Sequence, residues 1–155
     1  MAEDGDARFH DADAGPLRLW ATDAEDLQVV AALCQDAVLP ASEMRWIASE
    51  RRFAMLVNRF RWEAGRRTTQ RVRSVIAMGD VTRVRGQGVV PGDVDTVLSV
   101  LTMEWAPGDD AAGVLTITFA GDGLVAIEAD CLDLRLADVT RPYGAPSGRR
   151  PAHDL

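Results

Sequence analysis

Arginine is the residue in this chain whose type and spacing most suggest chemistry. All 17 basic residues are arginine, and eleven of them lie between Arg45 and Arg85, opposed there only by Glu50, Glu63 and Asp80. That stretch carries +8, whereas residues 1–44 carry −8 and residues 86–155 carry −7, so a chain of net charge −7 hides a basic middle third. A guanidinium is permanently charged and presents a planar fork of donors, the shape that suits carboxylates and phosphates. The candidate binding residues are therefore Asn58, Arg59, Arg61, Arg66, Arg67, Arg71 and Arg73.

Strand alternation suggests how they are arranged. In the segment ending at Glu63, Arg59 and Arg61 face one way, while Phe60 and Trp62 face the other. In the next segment Arg71 and Arg73 share a face, opposite Val72, Ser74 and Ile76. A register that pairs apolar with apolar then also pairs arginine with arginine. With Arg66 and Arg67 on the loop 64–70, the expected result is a hairpin whose distal half projects four to six guanidiniums into solvent. Nearer its base both faces turn apolar, with Phe53, Met55 and Val57 on one side and Ala54 and Leu56 on the other. Like charges facing each other across strands repel, so something must offset them. Carboxylates on neighbouring strands, such as Asp133, Glu128 or Glu104, would do so internally, which is the commoner fate of a charge run. An anionic partner would do so externally.

Other chemistries find little support. His10 and His153 sit in terminal segments, which removes histidine from nearly every catalytic or metal-binding scheme. The absence of lysine removes Schiff-base chemistry. Cys34 and Cys131 have no CxxC spacing and read as reduced core thiols. Gly86, Gly88 and Gly92 lack the spacing of a dinucleotide fingerprint and read as a loop. Asp93 and Asp95 lack the further oxygen ligands of a calcium loop, and Asp109-Asp110 reads as a solvated turn. No cofactor or metal is called for, and an enzyme would have to work with Arg, Asp, Glu and Tyr143 alone.

The elements that must position the arginines are mostly strands. Thr22 and Glu25 have the spacing of a capping box, and Leu27, Val30, Ala31, Cys34 and Val38 recur on one helical face until Pro40. A short strand at Leu17–Ala21 precedes this helix. Strands are expected at Met44–Ala48, Arg52–Glu63, a long bent Arg71–Val84 with a bulge at Gly79, Thr96–Trp105, Val114–Phe119, Leu124–Ala129 and Cys131–Val139. In Thr96–Trp105 the expected apolar face is Val97, Leu101, Met103 and Trp105. Gly121-Asp122-Gly123 signals a tight hairpin. The expected fold is α+β: one N-terminal helix packed on a curved, mostly antiparallel sheet of about seven to eight strands, a roll or half-barrel. Trp20, Trp46, Trp62 and Trp105 are expected to anchor its core or rim, each with a partner for its indole N–H.

The 155 residues fit one domain, with an acidic leader at 1–16, a body at 17–139 and a Pro/Gly/Arg tail at 140–155. No apolar run is long enough to span a bilayer, and the acidic start lacks a signal peptide's pattern, so a cytoplasmic protein is expected.

The strings Thr22-Asp23-Ala24-Glu25-Asp26-Leu27 and Gln35-Asp36-Ala37-Val38, and above all Leu56-Val57-Asn58-Arg59-Phe60-Arg61-Trp62-Glu63, resemble the bacterial domain-of-unknown-function family 2948. The resemblance implies a small, single-domain cytoplasmic bacterial protein and assigns no activity or residue role. The expected function is that of a non-catalytic binding or adaptor domain whose arginine hairpin engages an acidic protein surface or a phosphorylated ligand. Self-association through the acidic outer thirds belongs to the same reading. An RNA- or DNA-binding accessory protein is an alternative, less favoured because the pI is about 4.8. A small enzyme acting on an anionic substrate is the other.

Overall fold

The computed structural model describes residues 16–65 and 69–144, most of which lie in strands. In chain order the elements are β1 (Arg18–Ala21), α1 (Ala24–Leu33), β2 (Val38–Pro40), β3 (Met44–Ile47), β4 (Arg52–Phe60), β5 (Gln70–Met78), β6 (Val81–Gln87), β7 (Val97–Pro107), β8 (Gly113–Phe119), β9 (Leu124–Ala129), β10 (Leu134–Asp138) and β11 (Tyr143–Gly144). They form one antiparallel sheet in the order β1-β10-β5-β4-β2-β7-β8-β9-β6, with β3 paired to the start of β4 and β11 to the start of β5. The class is α+β as expected, but the sheet has eleven strands rather than seven to eight. Its edges β1 and β6 do not meet, so it remains open. The two halves turn their apolar faces toward one another: Phe53, Met55, Ile76 and Leu136 from one half share a single core with Met103, Leu115, Ile117 and Ile127 from the other. Helix α1 packs against β1 and β7 through Leu27, Val30 and Leu33.

Local chemistry explains where the elements differ from the sequence reading. The helix is capped by Asp23, not Thr22: the Asp23 carboxylate accepts from the Asp26 amide at 2.8 Å, and the Asp26 carboxylate accepts from the Thr22 amide at 3.5 Å. It ends at Leu33, because the backbone turns at Cys34 and Asp36 takes φ 65°. Val38, expected on the helix, belongs to β2. The long strand Arg71–Val84 is two strands: Gly79 and Asp80 turn the chain, with Asp80 at φ 55°, so that β6 joins the other half of the sheet. In β7 the register with β8 slips by one residue between Val100 and Thr102. The slip brings Met103 and Trp105, as expected, to the same inner side as Leu98 and Val100, but leaves Val97 and Leu101 of the expected face exposed. The last long strand is confined to Leu134–Asp138, and Tyr143–Gly144, within the segment read as a tail, pair with β5. The hairpin at Gly121-Asp122-Gly123 forms as its residues dictate, with Gly121 and Asp122 at positive φ.

One glycine is held by a close approach rather than a turn. A Cβ on Gly113 would stand 2.5 Å from the Trp105 ring and 2.6 Å from the Ala106 carbonyl oxygen. Since backbone cannot yield as a flexible side chain does, Gly113→Ala is expected to cost about 1–3 kcal/mol. A thermal unfolding midpoint equal to wild type would contradict that packing.

Candidate functional site

The residue at the centre of the sequence-defined hairpin is not at the surface. Parity places Arg59 on the same side of β4 as Phe53, Met55 and Val57, and that side is the core face; its relative exposure is 0%. Strand β4 ends at Phe60, and the helical turn at Trp62–Ala64 folds Glu63 back over the guanidinium. Arg59 donates from Nη1 and Nη2 to the two Glu63 oxygens, both at 2.8 Å. It also donates from Nη2 to the Asp138 carboxylate at 3.0 and 3.1 Å, and from Nε to Ser74 Oγ at 3.1 Å. Ser74 Oγ in turn donates to Asp138 at 2.7 Å, and Asp138 accepts the Leu17 amide at 2.9 Å. One side chain thus ties together β4, β5, β10, the entry to β1 and the turn after β4. Burial works against the charged guanidinium, but the Glu63 and Asp138 carboxylates outweigh it and hold its pKa above the ordinary arginine value.

Arg61 is buried too. Its Nη1 donates to Gln70 Oε1 at 2.5 Å, and its Nε lies 3.9 Å from Glu63. Two guanidiniums and two carboxylates therefore share this part of the molecule. Internal neutralisation occurs, but by Glu63 and Asp138 rather than by the residues expected. Asp133 pairs with Arg135 at 3.6 Å and Glu128 with Arg85 at 3.3 Å.

The register between β4 and β5 opposes Asn58 to Arg73, Arg59 to Val72 and Phe60 to Arg71. Arginine does not face arginine. Arg59 and Arg61 point inward, while Asn58, Arg71 and Arg73 lie on the outer face of the sheet. The expected row of parallel guanidiniums is overturned, because the apolar face of β5 that bears Val72, Ser74 and Ile76 matches the face of β4 that bears Arg59. On the outer face Arg73 is exposed and Arg71 is half-buried, its guanidinium 5.9 Å from the centre of the Phe60 ring. Asn58 donates to the Tyr143 hydroxyl, and its buried Oδ1 has no hydrogen-bond donor among the described residues. Arg66 and Arg67 lie outside the described residues.

Four further arginines complete that outer face, none of them singled out from the sequence. Pairing opposes Arg18 to Ala137, Trp20 to Arg135, Arg135 to Ala77, Ala54 to Arg45 and Arg52 to Ile47. Directly opposed residues share a face, so Arg18, Arg45, Arg52, Arg71, Arg73 and Arg135 all lie on one side of the half-sheet β1-β10-β5-β4-β3. Between them runs a half-buried strip of Ala54, Leu56, Val75, Ala77 and Ala137. The paired strand positions on this face include no aspartate or glutamate. Among the described residues, Arg18, Arg45, Arg52 and Arg73 have no carboxylate within salt-bridge distance, whereas Arg135 lies 4.6 Å from the Trp20 ring centre and reaches Asp133. The only local hint was parity: Arg18 flanks Leu19 and Arg135 sits between Leu134 and Leu136. That hint needs the non-local pairing of β1 with β10 before it becomes a surface.

A groove of about 550 Å³ lies where this face meets the helix. Leu17, Leu19, Val29, Val30 and Leu33 form its apolar walls, Arg18, Trp20 and Arg135 its outer rim, and Asp26 and Glu63 its acidic points. Trp20 is 59% exposed although its indole N–H donates to Asp133 at 2.6 Å; Trp62 donates to the Gln35 carbonyl at 3.0 Å. Among the described residues no group of three or more His, Cys, Asp and Glu could hold a metal ion, and no helix is long and apolar enough to cross a membrane.

Neither a curated protein nor a solved structure matches the chain. A family described as "Protein of unknown function (DUF2948)" matches residues 17–153, a span that includes the helix and all eleven strands together with the Arg59 network. The chain belongs to that family.

Proposed function

We propose that this domain is a non-catalytic binding module that captures an acidic protein segment on the outer face of its first half-sheet. One observation carries the reading. Six arginines surround a half-buried apolar strip on a face whose paired strand positions carry no carboxylate, in a chain whose net charge is −7. In a domain with such an acid excess, a cluster of arginines on one face steers an anionic partner toward it. The strip between the arginines favours a protein over a bare polyphosphate, because aliphatic side chains give apolar contacts something to bury against. Arg59 and Arg61 have no part in capture; they hold up the strands on which the other arginines stand.

The test is a fluorescence anisotropy titration of the full chain with a labelled glutamate-rich peptide. Arg45, Arg52 and Arg73 are exposed and have no carboxylate partner among the described residues, so the triple reversal Arg45→Glu/Arg52→Glu/Arg73→Glu leaves the fold intact. It should weaken binding at least about tenfold, or about 1.4 kcal/mol, and wild-type affinity should fall as salt rises. Undiminished binding by the triple variant, or tighter binding of a single-stranded oligonucleotide than of the peptide, would refute the proposal.

A further inference from the structure

We infer that the free edge of β1 accepts an extended peptide strand in which acidic and apolar residues alternate. This rests on the binding-module reading and specifies the partner's form. The argument begins with the backbone. The Asp138 amide donates to the Leu17 carbonyl at 2.9 Å, so Leu17 directs its backbone groups toward β10. Alternation in an antiparallel pair then turns Leu19 and Ala21 the same way, and turns the N–H and C=O of Arg18 and Trp20 away from the sheet. Among the described residues β1 is an edge, with no strand on its far side. Those outward groups are the template on which a further strand can pair.

The groove supplies the selectivity. Residues from both faces of β1 line it, Leu17 and Leu19 from one and Arg18 and Trp20 from the other, so it runs along the strand's edge rather than over one face. A strand laid there sends alternate side chains to opposite sides. On the helix side they meet Leu17, Leu19, Val29, Val30 and Leu33, with the exposed Asp26 nearby to repel acids. Val29, a helix residue 44% exposed, is left unpacked on this wall. On the other side the side chains meet Arg18 and Arg135, where carboxylates are attracted. The apolar wall and the cationic rim therefore call for opposite residue types at successive positions, and a period-two acidic–apolar segment meets both. A groove of about 550 Å³ is within the usual range for a site that buries a few side chains.

The experiment uses three kinds of short labelled peptide of one residue composition, titrated by anisotropy against the full chain. The first alternates glutamate and leucine. The second has its glutamates in one block and its leucines in another. The third repeats the first with backbone N-methyl groups on every second residue, one version for each parity. The alternating peptide should bind at least tenfold tighter than the block peptide. One N-methylated version should lose that advantage while the other keeps it, and Val29→Asp should weaken the alternating peptide selectively. Equal affinity for alternating and block peptides, or indifference to N-methylation in both parities, overturns edge pairing. If the Arg45→Glu/Arg52→Glu/Arg73→Glu variant still loses affinity in that case, the wider arginine face stands without it. Conversely, tight and N-methyl-sensitive binding that ignores the triple reversal keeps the edge site and removes the face. No binding of any peptide at about 1 mM overturns both.

Discussion

Arg59→Met is expected to lose about 3–5 kcal/mol of folding free energy, a large part of the 5–15 kcal/mol typical of a domain. Methionine has the length and apolar character to fill much of the space, so the loss does not come from a cavity. It comes from Glu63 and Asp138, which would remain buried with most of their charge compensation gone. Ser74 and the Leu17 amide still donate to Asp138, whereas Glu63 loses the guanidinium that donates to both of its oxygens. Neutralising the acids together with the base should therefore recover stability: Arg59→Met/Glu63→Gln/Asp138→Asn should unfold at higher urea than Arg59→Met alone. Recovery of this kind would identify the cost as unpaired charge rather than lost packing. Arg73→Met, on the outer face, should stay within about 0.5 kcal/mol of wild type. Urea unfolding followed by tryptophan fluorescence measures all three. An Arg59→Met midpoint close to wild type would mean that the buried network does not hold these strands together.

That contrast between Arg59 and Arg73 also shows how far the residues alone could be read. Alternation along β4 was legible, and it placed Arg59 with Phe53, Met55 and Val57. What alternation cannot show is which side is wet. Charge ordinarily marks solvent, yet a guanidinium is accepted in a core when carboxylates meet it there. One of those carboxylates, Asp138, is 79 residues away. Its companion Glu63 is only four residues on, but it reaches Arg59 because the strand ends at Phe60 and the chain turns, an event that periodicity does not record. The register of β4 on β5 was lost for the same reason, since it depends on which face of β4 is buried. Long alternating runs such as Val114–Phe119 and Leu124–Ala129 were secure, as was the Gly121-Asp122-Gly123 turn between them. Strands β2 and β11, of three and two residues, are too short to carry a period and exist only because β4, β5 and β7 offer them partners. The division of the expected face in β7, with Val97 and Leu101 out but Met103 and Trp105 in, follows from one bulged residue near Leu101, which shifts every later side chain by one. The arginine surface is the extreme case: the basic stretch of the sequence contributes only some of it, and Arg18 and Arg135 arrive from the two ends of the body through the pairing of β1 with β10.

The two thiols offer a chemical reading of the same core. Cys34 is buried against the Arg59 network, and burial pushes its pKa up from 9.0 to about 12 despite the pull of Arg59, with Asp138 and Glu63 adding to the rise. Cys131 is half-buried; burial raises its pKa as well, assisted by the Asp80 carboxylate, which accepts its S–H at 3.3 Å. Thiolate is the reactive form, so at pH 8 the native chain should react with Ellman's reagent at one cysteine only, and slowly. The second should appear on adding denaturant, and Cys131→Ser should abolish the native reaction. Asp80→Asn should speed the reaction of Cys131 by removing the charge that holds its proton, and asparagine tolerates the positive φ found at position 80. The buried thiol also predicts a pH dependence of stability. Its folded pKa lies above its unfolded value, so its contribution is complete below about pH 9 and is lost as pH climbs toward 12. A shift of about three units corresponds to roughly 4 kcal/mol at the limit, and Cys34→Ala should show a shallower fall in urea midpoint between these pH values. Equal reaction of both thiols in the native protein would place Cys34 in contact with solvent. The core that encloses Arg59 would then be open on the side where Cys34 lies.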